Sequence, residues 1–480
     1  MINLISFILY HIVVVLIIIH IVMDNRQPAK TVAWALVIWF VPVVGMVLYF
    51  FFGTNTRKER MASQRSMDEL TKRSMLQFVE QHNLHLPQQH RKLIDLFINE
   101  STALPFRDST AEVYTDGYQF FPALMAAMAA AKSHIHIDIY IFEDDALGRM
   151  LRDLLIDKAR QGVEVRLIYD DVGCFKVGNQ FFERMREEGI EALPFLPVRF
   201  PKLTSRVNYR NHRKIVVVDG EVGFIGGMNF AIRYVKSKGW RDTMVRLTGG
   251  AVYSLQRAFL IDWYFVDRTL LSDRKYYPDR KALPTPMPAP RVEEAPSTDV
   301  IQLVTSGPVA PYAEIMQGYV HVILAARRYV YMETPYFLPT EPVLFAMKTA
   351  ASAGVDVRLL VPLDVDAWVA DWAGRSYLRE VQAAGIQVRF YTPGFLHSKL
   401  MVSDDGVCTC GSTNIDFRSF ENNFEANIFV YGEETAMRFR DIYLADEQHS
   451  LPLTEVPSRY RPHFFARLVE SLFRLFSPLM

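Results

Sequence analysis

A chain of 480 residues is longer than one ordinary hydrophobic core supports, so two folded units with additional segments are expected. Its 50% hydrophobic and 13% aromatic content excludes a disordered or low-complexity chain and points to a lipid-facing portion. A formal net charge of zero removes the global positive field of a dedicated nucleic-acid binder, and Cys174, Cys408 and Cys410 match neither a zinc spacing nor a disulfide framework.

Residues 2–23 contain no Asp, Glu, Lys or Arg and are dominated by Ile, Val and Leu, enough helix to cross a hydrocarbon core of about 30 Å. A polar loop, 24–30, leads to a second apolar run, 31–52, in which Trp34, Trp39 and Tyr49 suit interface anchors. The two read as a transmembrane helical hairpin. A cleaved signal peptide fits less well, because a basic leading region and a small-residue cleavage site are both missing. His11 and His20 sit inside the first span and are assigned no role. Arg57, Lys58, Arg60, Arg65, Lys72 and Arg73 follow the second span, against Arg26 and Lys30 in the loop, which places the bulk of the chain on the cytoplasmic side. Residues 57–105 read as a juxtamembrane helical connector.

Beyond residue 100 short apolar strands alternate with amphipathic helices, the pattern of an α/β architecture, and the pattern runs twice. The pieces 131–140, 162–169 and 189–192 recur in order and character as 326–335, 354–361 and 385–388, with Gly162-Val-Glu-Val answered by Gly354-Val-Asp-Val. A segment at 278–297, with Pro284, Pro286, Pro288 and Pro290 alternating, is an extended linker between the first half, 106–277, and the second, 298–450. Residues 451–480 form a C-terminal amphipathic segment that suits equally a bilayer interface or the flank of the catalytic unit.

Each half then carries one sparse constellation. His212-Arg-Lys214, Asp219 and Gly226-Gly227-Met-Asn229 are followed 185 residues later by His397-Ser-Lys399, Asp404 and Gly411-Ser412-Thr-Asn414, with every internal spacing identical. A histidine and a lysine two apart on an extended segment face the same way, so an imidazole and an ammonium address one substrate group. A phosphodiester suits the pair: one histidine attacks phosphorus while the other protonates the leaving alkoxide and later deprotonates the incoming alcohol. Lys214 and Lys399 supply positive charge, so neither a metal nor another cofactor is called for. Gly227 and Ser412 would let backbone approach the anion, and Asn229 and Asn414 would donate amide hydrogens to it. A catalytic histidine needs an acceptor on its far nitrogen. Asp242 and Glu425, at matching places at the start of a strand-like run in each half, are the candidates. Asp219 and Asp404 complete the motif, with a turn or ion pair the simpler use for them than chemistry.

The doubled H-x-K-x4-D-x6-G-[GS]-x-N pattern resembles the phospholipase D superfamily. The hairpin with Arg26-Gln-Pro-Ala-Lys-Thr31, the run Thr334-Pro-Tyr-Phe-Leu-Pro339 and Leu475-Phe-Ser-Pro-Leu479 resemble its bacterial cardiolipin synthase branch over essentially the whole chain. The resemblance implies two phospholipase D-like α/β repeats, each a mixed sheet flanked by helices, packed about a pseudo-twofold axis with one shared active site. It also implies His212 as nucleophile, His397 as acid and base, and transfer of a phosphatidyl group between two phosphatidylglycerol molecules to give cardiolipin and glycerol at the bacterial inner membrane. A hydrolase using water, a transphosphatidylase with another lipid acceptor, a nuclease and a catalytically silent membrane scaffold are the rival readings. Self-association is compatible with the sequence and not specified by it.

Overall fold

The computed structural model describes residues 2–23, 28–53, 86–198, 208–236, 239–277, 299–308, 310, 312–456, 460 and 463–479. The cations at Arg26 and at 57–73, the connector up to residue 85 and the proline-rich segment 278–297 lie outside the described residues. The N-terminal part folds as α1 (Ile2–Met23), α2 (Pro28–Phe40) and α3 (Pro42–Leu48), ending in a π-helical turn at Tyr49–Gly53. Val14, Ile21, Ile38 and Tyr49 form a small core between them, with Trp34 edge-on to Tyr49 at 5.5 Å. The second apolar run is not the single helix predicted. Proline lacks the N–H for the preceding turn and pushes the residue before it out of the helical region, and Val41 accordingly lies at φ −133°, ψ 65°. Among the described residues no helix is long and apolar enough to cross a membrane, so the two predicted spans are not part of what the fold establishes.

The first half is built on a seven-stranded sheet in the order β2-β9-β7-β6-β3-β4-β5. Its strands are β2 (Ser109–Tyr114), β3 (His134–Ile139), β4 (Glu164–Asp170), β5 (Glu191–Phe195), β6 (Lys214–Val218), β7 (Val222–Gly226) and β9 (Met244–Gly249), with the short β8 (Trp240–Arg241) standing apart from it. The second half repeats that order strand for strand as β10-β19-β17-β16-β11-β13-β14, flanked by β1 (Pro105–Phe106) and β20 (Ser450–Pro452). Here β10 is Val300–Ser306, β11 Tyr329–Glu333, β13 Asp356–Pro362, β14 Gln387–Tyr391, β16 Leu400–Ser403, β17 Val407–Gly411 and β19 Glu425–Tyr431, while the short β12 (Phe337–Leu338), β15 (Phe395–Leu396) and β18 (Ile415–Asp416) lie outside the sheet. β3 runs parallel to β4 and β4 to β5, whereas β6 is antiparallel to β3; β11, β13, β14 and β16 do the same. The glycines of the sequence repeat perform one task in both halves: Gly162 and Gly354 each turn the chain out of a helix at φ +89°, a conformation that costs a residue with a Cβ about 1 kcal/mol or more.

Helices cover the outer faces. α4 (Arg91–Ser101) comes first, then α5 (Gly117–Ala130), α6 (Ala146–Arg160), α7 (Asn179–Glu187) and α8 (Ala251–Asp267) in the first half. α9 (Glu314–Ala325), α10 (Glu341–Ser352), α11 (Trp368–Ala383), the short α12 (Phe417–Glu421) and α13 (Glu433–Gln448) belong to the second, and α14 (Phe464–Leu475) follows. α5 and α6 start at Asp116 and Asp145, whose carboxylates accept backbone N–H groups of the first turn. The two sheets face each other: Ile215, Val217, Ile225 and Val245 of one share a core with Leu400, Val402, Cys410 and Ile428 of the other. Strands buried on both faces read as unbroken apolar runs, which is why Ile215 to Val218 shows no alternation.

One boundary differs from the sequence reading. The end of the predicted connector belongs to the second half, because Leu93, Ile94 and Phe97 of α4 enter its core and β1 pairs with β10. The chain therefore passes along the second half before it builds the first.

Candidate active site

Because β6 is antiparallel to β3, Lys214 lies opposite Ile139, and the first motif starts where the parallel strands end. The second motif is placed identically, with Leu400 opposite Glu333. The residues just before β6 and β16 reach across to the other half. His212 donates its backbone N–H to the Phe424 carbonyl at 2.9 Å, and His397 donates to the Arg241 carbonyl at 2.7 Å. Phe424 and Arg241 immediately precede Glu425 and Asp242. Each histidine is thereby clamped beside a carboxylate of the opposite half: His212 Nδ1 lies 3.0 Å and 3.1 Å from the Glu425 oxygens, and His397 Nδ1 lies 2.6 Å from Asp242 Oδ2.

All six side chains of this double dyad and its lysines, His212, Glu425, His397, Asp242, Lys214 and Lys399, are buried. Burial pushes His212 down to about 4, with Lys214 and Lys399 adding to the shift and Glu425 opposing it. His397 is pushed to about 3 by burial and by Lys399 and Lys214, against Asp242. Burial also lowers Lys214 to about 7 and Lys399 to about 8. Each histidine thus feels the lysine of the other motif, which puts both motifs within one electrostatic site. Burial works to raise Asp242 and Glu425, yet the facing cations and imidazoles outweigh it and hold both below the ordinary carboxylate range. A neutral imidazole whose Nδ1–H donates to an ionised carboxylate leaves Nε2 with a lone pair, the form a nucleophile requires. Lys399 Nζ lies 2.8 Å from His397 Nδ1, but a nitrogen donating to Asp242 has no lone pair for an ammonium. We assign that nitrogen to the carboxylate, the shorter and charge-matched contact.

Of the other motif residues, the two aspartates hold turns, the simpler of the uses read from the sequence, whereas Gly227, Ser412 and Asn229 stand differently from the reading. Asp219 lies at the far end of β6 from His212, about 20 Å away at strand rise, and accepts the backbone N–H groups of Lys132, Ser133 and His134. Asp404 does the same for Arg327, Arg328 and Tyr329, and both aspartates sit at φ +53°. They fasten the turn after the motif strand to the start of its neighbour and do not join the chemistry. Gly227 faces Asp242, not a ligand: a Cβ there would fall 2.1 Å from Asp242 Oδ1. Ser412, its counterpart, donates to Glu425, which also receives Asn423 at 3.3 Å. The Gly-Gly and Gly-Ser pairs therefore shape the seats of the two carboxylates. Asn229 accepts the Ile141 N–H on its side-chain oxygen and donates one amide hydrogen to the Tyr234 hydroxyl, so its amide is oriented by the first half. The Asn414 side-chain oxygen is buried with no hydrogen-bond partner among the described residues.

Gly227→Ala is expected to push Asp242 off His397 and lower turnover about tenfold to a hundredfold, with little change in the thermal melt. An undiminished catalytic rate would contradict that placement.

Several site residues were not read from sequence. Tyr140 stands edge-on to His212 at 4.8 Å with the Lys214 ammonium 5.2 Å from its ring centre, and Trp240 lies 4.9 Å from His397. Behind the histidines each half buries two carboxylates against one arginine. Asp138 and Asp262 share Arg213, which also donates to the Glu425 carbonyl at 3.1 Å. Glu333 and Asp446 share Arg241, at 4.0 Å and 2.6 Å, and this arginine comes from the opposite half. Two acids facing one cation in a dry site do not both ionise readily. Burial, reinforced by Asp446 and opposed by Arg241, raises Glu333 to about 8. A carboxyl raised in the folded state stabilises fully below its unfolded pKa, and that stability drains away as pH rises towards about 8. Glu333→Gln is therefore expected to flatten the loss of Tm between pH 6 and 8.5 in differential scanning fluorimetry, and an unchanged slope would contradict the raised Glu333 carboxyl.

Comparison with known proteins bears on this geometry. The family model described as "Cardiolipin synthase, PLD-like domain" matches residues 124–263 and 319–446, one stretch in each half. A "Phospholipase_D-nuclease N-terminal" model matches residues 12–53. The cardiolipin synthase of Geobacillus kaustophilus is 38% identical over 95% of this chain and 90% of its own length. The chain belongs to the cardiolipin synthase family. Cardiolipin synthase 2 of Bacillus anthracis is 37% identical over 95% of this chain and 88% of its own. Among solved structures, phosphatidylserine synthase of Haemophilus influenzae shares the fold at a TM-score of 0.60, with 14% identity, covering 82% of this chain and all of that one. Within the cardiolipin synthase family fold, the crossed histidine and carboxylate pairs are the feature that joins two repeats into one site.

Proposed function

We propose that the chain is a phosphatidyltransferase that makes cardiolipin and glycerol from two molecules of phosphatidylglycerol. The observation that carries this reading is the crossing of the dyads, since each histidine is oriented by a carboxylate from the other half and the two imidazoles work as a pair. His212 Nε2 attacks phosphorus of the donor in line, the bond to the glycerol oxygen breaks, and His397 delivers a proton to that oxygen. The phosphatidyl group is then held on His212. His397, now neutral, takes the proton from the terminal hydroxyl of the second phosphatidylglycerol as its oxygen attacks phosphorus, forming cardiolipin and freeing His212. Lys214 and Lys399 balance the charge on the non-bridging oxygens, a contribution that a water-excluding site strengthens. Arrival of the phosphate anion offsets the burial cost that depresses His397 and the two ammonium groups, so His397 carries the proton it delivers and the lysines their charge, while His212, with Nδ1–H on Glu425 and Nε2 facing phosphorus, stays neutral.

A membrane-embedded N-terminal hairpin at the bacterial inner membrane, with the catalytic halves on the cytoplasmic side, completes the proposal. Its support is the apolar exterior of the hairpin, where Leu16, Val22, Trp39, Phe40 and Val43 are exposed, together with the excess of cations after the second run. Purified protein given labelled phosphatidylglycerol in mixed micelles tests the activity. Cardiolipin with free glycerol is the expected result; phosphatidic acid alone would assign a hydrolase, and no turnover a binding scaffold.

A further inference from the structure

α14 is two-faced. One face packs on α11: the Phe473 ring lies 5.6 Å from Trp368 and 6.2 Å from Trp372, and Arg474 stacks 3.9 Å over Tyr377 while pairing with Glu380 at 2.6 Å. Glu470, the one acid in the helix, is turned inward and bonded to Arg379. The opposite face presents Phe464 at 74% and Phe465 at 71% exposure, continued by Leu468, Leu472 and Leu475, with Arg467 also exposed. That surface is apolar and, along the helix, free of outward acidic groups. Large apolar patches of this kind mark interaction sites, and cations among aromatic and leucine side chains complement an anionic bilayer interface.

The patch is continuous with the active-site edge. Trp368, 65% exposed, opens α11 just after the end of β13, and the loop before it is tied to the site by Asp366, which accepts the Tyr336 hydroxyl at 2.6 Å. The Tyr336 ring meets Phe395 at 6.3 Å, and Phe395 meets His397 at 5.7 Å. The first half repeats the device. Phe175, 72% exposed with Lys176 beside its ring, stands in the loop after β4, the strand equivalent to β13. Its neighbour Cys174 contacts the Tyr140 carbonyl, and Tyr140 flanks His212. Exposed aromatics thus occupy matching loops at the strand ends that carry the two histidines.

We propose that this face, formed by Phe175 with Lys176 on one side and by Trp368 with the outer face of α14 on the other, seats on the anionic bilayer interface and turns the histidine cleft towards the lipid headgroups. The inference rests on the proposed lipid substrate. It adds a second membrane contact, separate from the N-terminal hairpin, that sets the orientation of the catalytic halves. Cys174, Cys408 and Cys410 are each buried, which leaves an introduced surface cysteine open to selective labelling.

The test uses the full chain in phosphatidylglycerol-containing nanodiscs. A bimane on Leu468→Cys is expected to be quenched by spin-labelled lipid. Phe464→Asp/Phe465→Asp, and separately Leu472→Asp, are expected to lower turnover of bilayer phosphatidylglycerol about tenfold or more while leaving turnover of a short-chain, monomeric phosphatidylglycerol unchanged. Equal loss on both substrates, or an unquenched probe, would overturn the proposal, as would crosslinking of Leu468→Cys between two copies without lipid quenching, which would make the face a protein interface. If wild type turns over neither lipid, the substrate reading fails, and the bimane signal still decides docking.

Discussion

His212→Ala and His397→Ala are each expected to lower phosphatidyl transfer by about 10⁴-fold or more, and the double variant to be no worse than the slower single one. Groups that act as a unit are non-additive: once either imidazole is missing, the other has no productive step left to assist. The loss reflects chemistry and not folding if the circular dichroism spectrum is retained, which the sheets behind the motifs favour, since the histidines precede β6 and β16 and do not pack within them. Transfer of label from phosphatidylglycerol in mixed micelles reads the effect. A single variant keeping more than about one hundredth of the wild-type rate would remove that histidine from the mechanism.

The second large effect concerns the crossed carboxylates. Asp242→Asn and Glu425→Gln preserve shape but present the histidine with an amide that no longer enforces the Nδ1–H tautomer, and each is expected to reduce turnover about 10²- to 10⁴-fold. Their effects differ in kind. Asp242 serves His397, the group proposed to protonate the leaving alkoxide, so a donor whose leaving group needs no proton, such as a nitrophenyl phosphodiester, should recover most of the Asp242→Asn loss. Glu425 serves His212, and Glu425→Gln should gain little from the same donor. Equal recovery of both variants would show that the two histidines do not divide the work as described.

The repeat was legible in the sequence because its carriers are local. Gly162 and Gly354, the strand pieces around them and the evenly spaced motif residues each depend on a few neighbours in the chain, and the two sheets follow the same strand order. What the sequence could not convey is which half each side chain serves. Asp242 and Glu425 stand at matching positions within their own repeats, yet each lies against the histidine of the other, and only packing of the two sheets determines that. From sequence alone Gly227 and Ser412 suit the approach of an anion, because glycine and small residues leave backbone open to one. They face carboxylates 15 and 13 residues further along the same half, a contact fixed by strand pairing. The pairs Asp138 with Asp262 and Glu333 with Asp446 join a strand to a helix more than a hundred residues away and leave no local signature. Pro42, by contrast, was visible, and its effect on the second apolar run follows from its missing N–H alone.

One active site assembled from two repeats is best tested by counting covalent intermediates. Rapid quench of the enzyme turning over phosphatidylglycerol in denaturing detergent at neutral pH, which spares the acid-labile P–N bond, followed by intact-mass and peptide mass spectrometry, should reveal at most one phosphatidyl group per chain, carried on His212 and absent from His212→Ala. Two groups on one chain, or adducts shared between His212 and His397, would contradict a single phosphorus gripped by both halves.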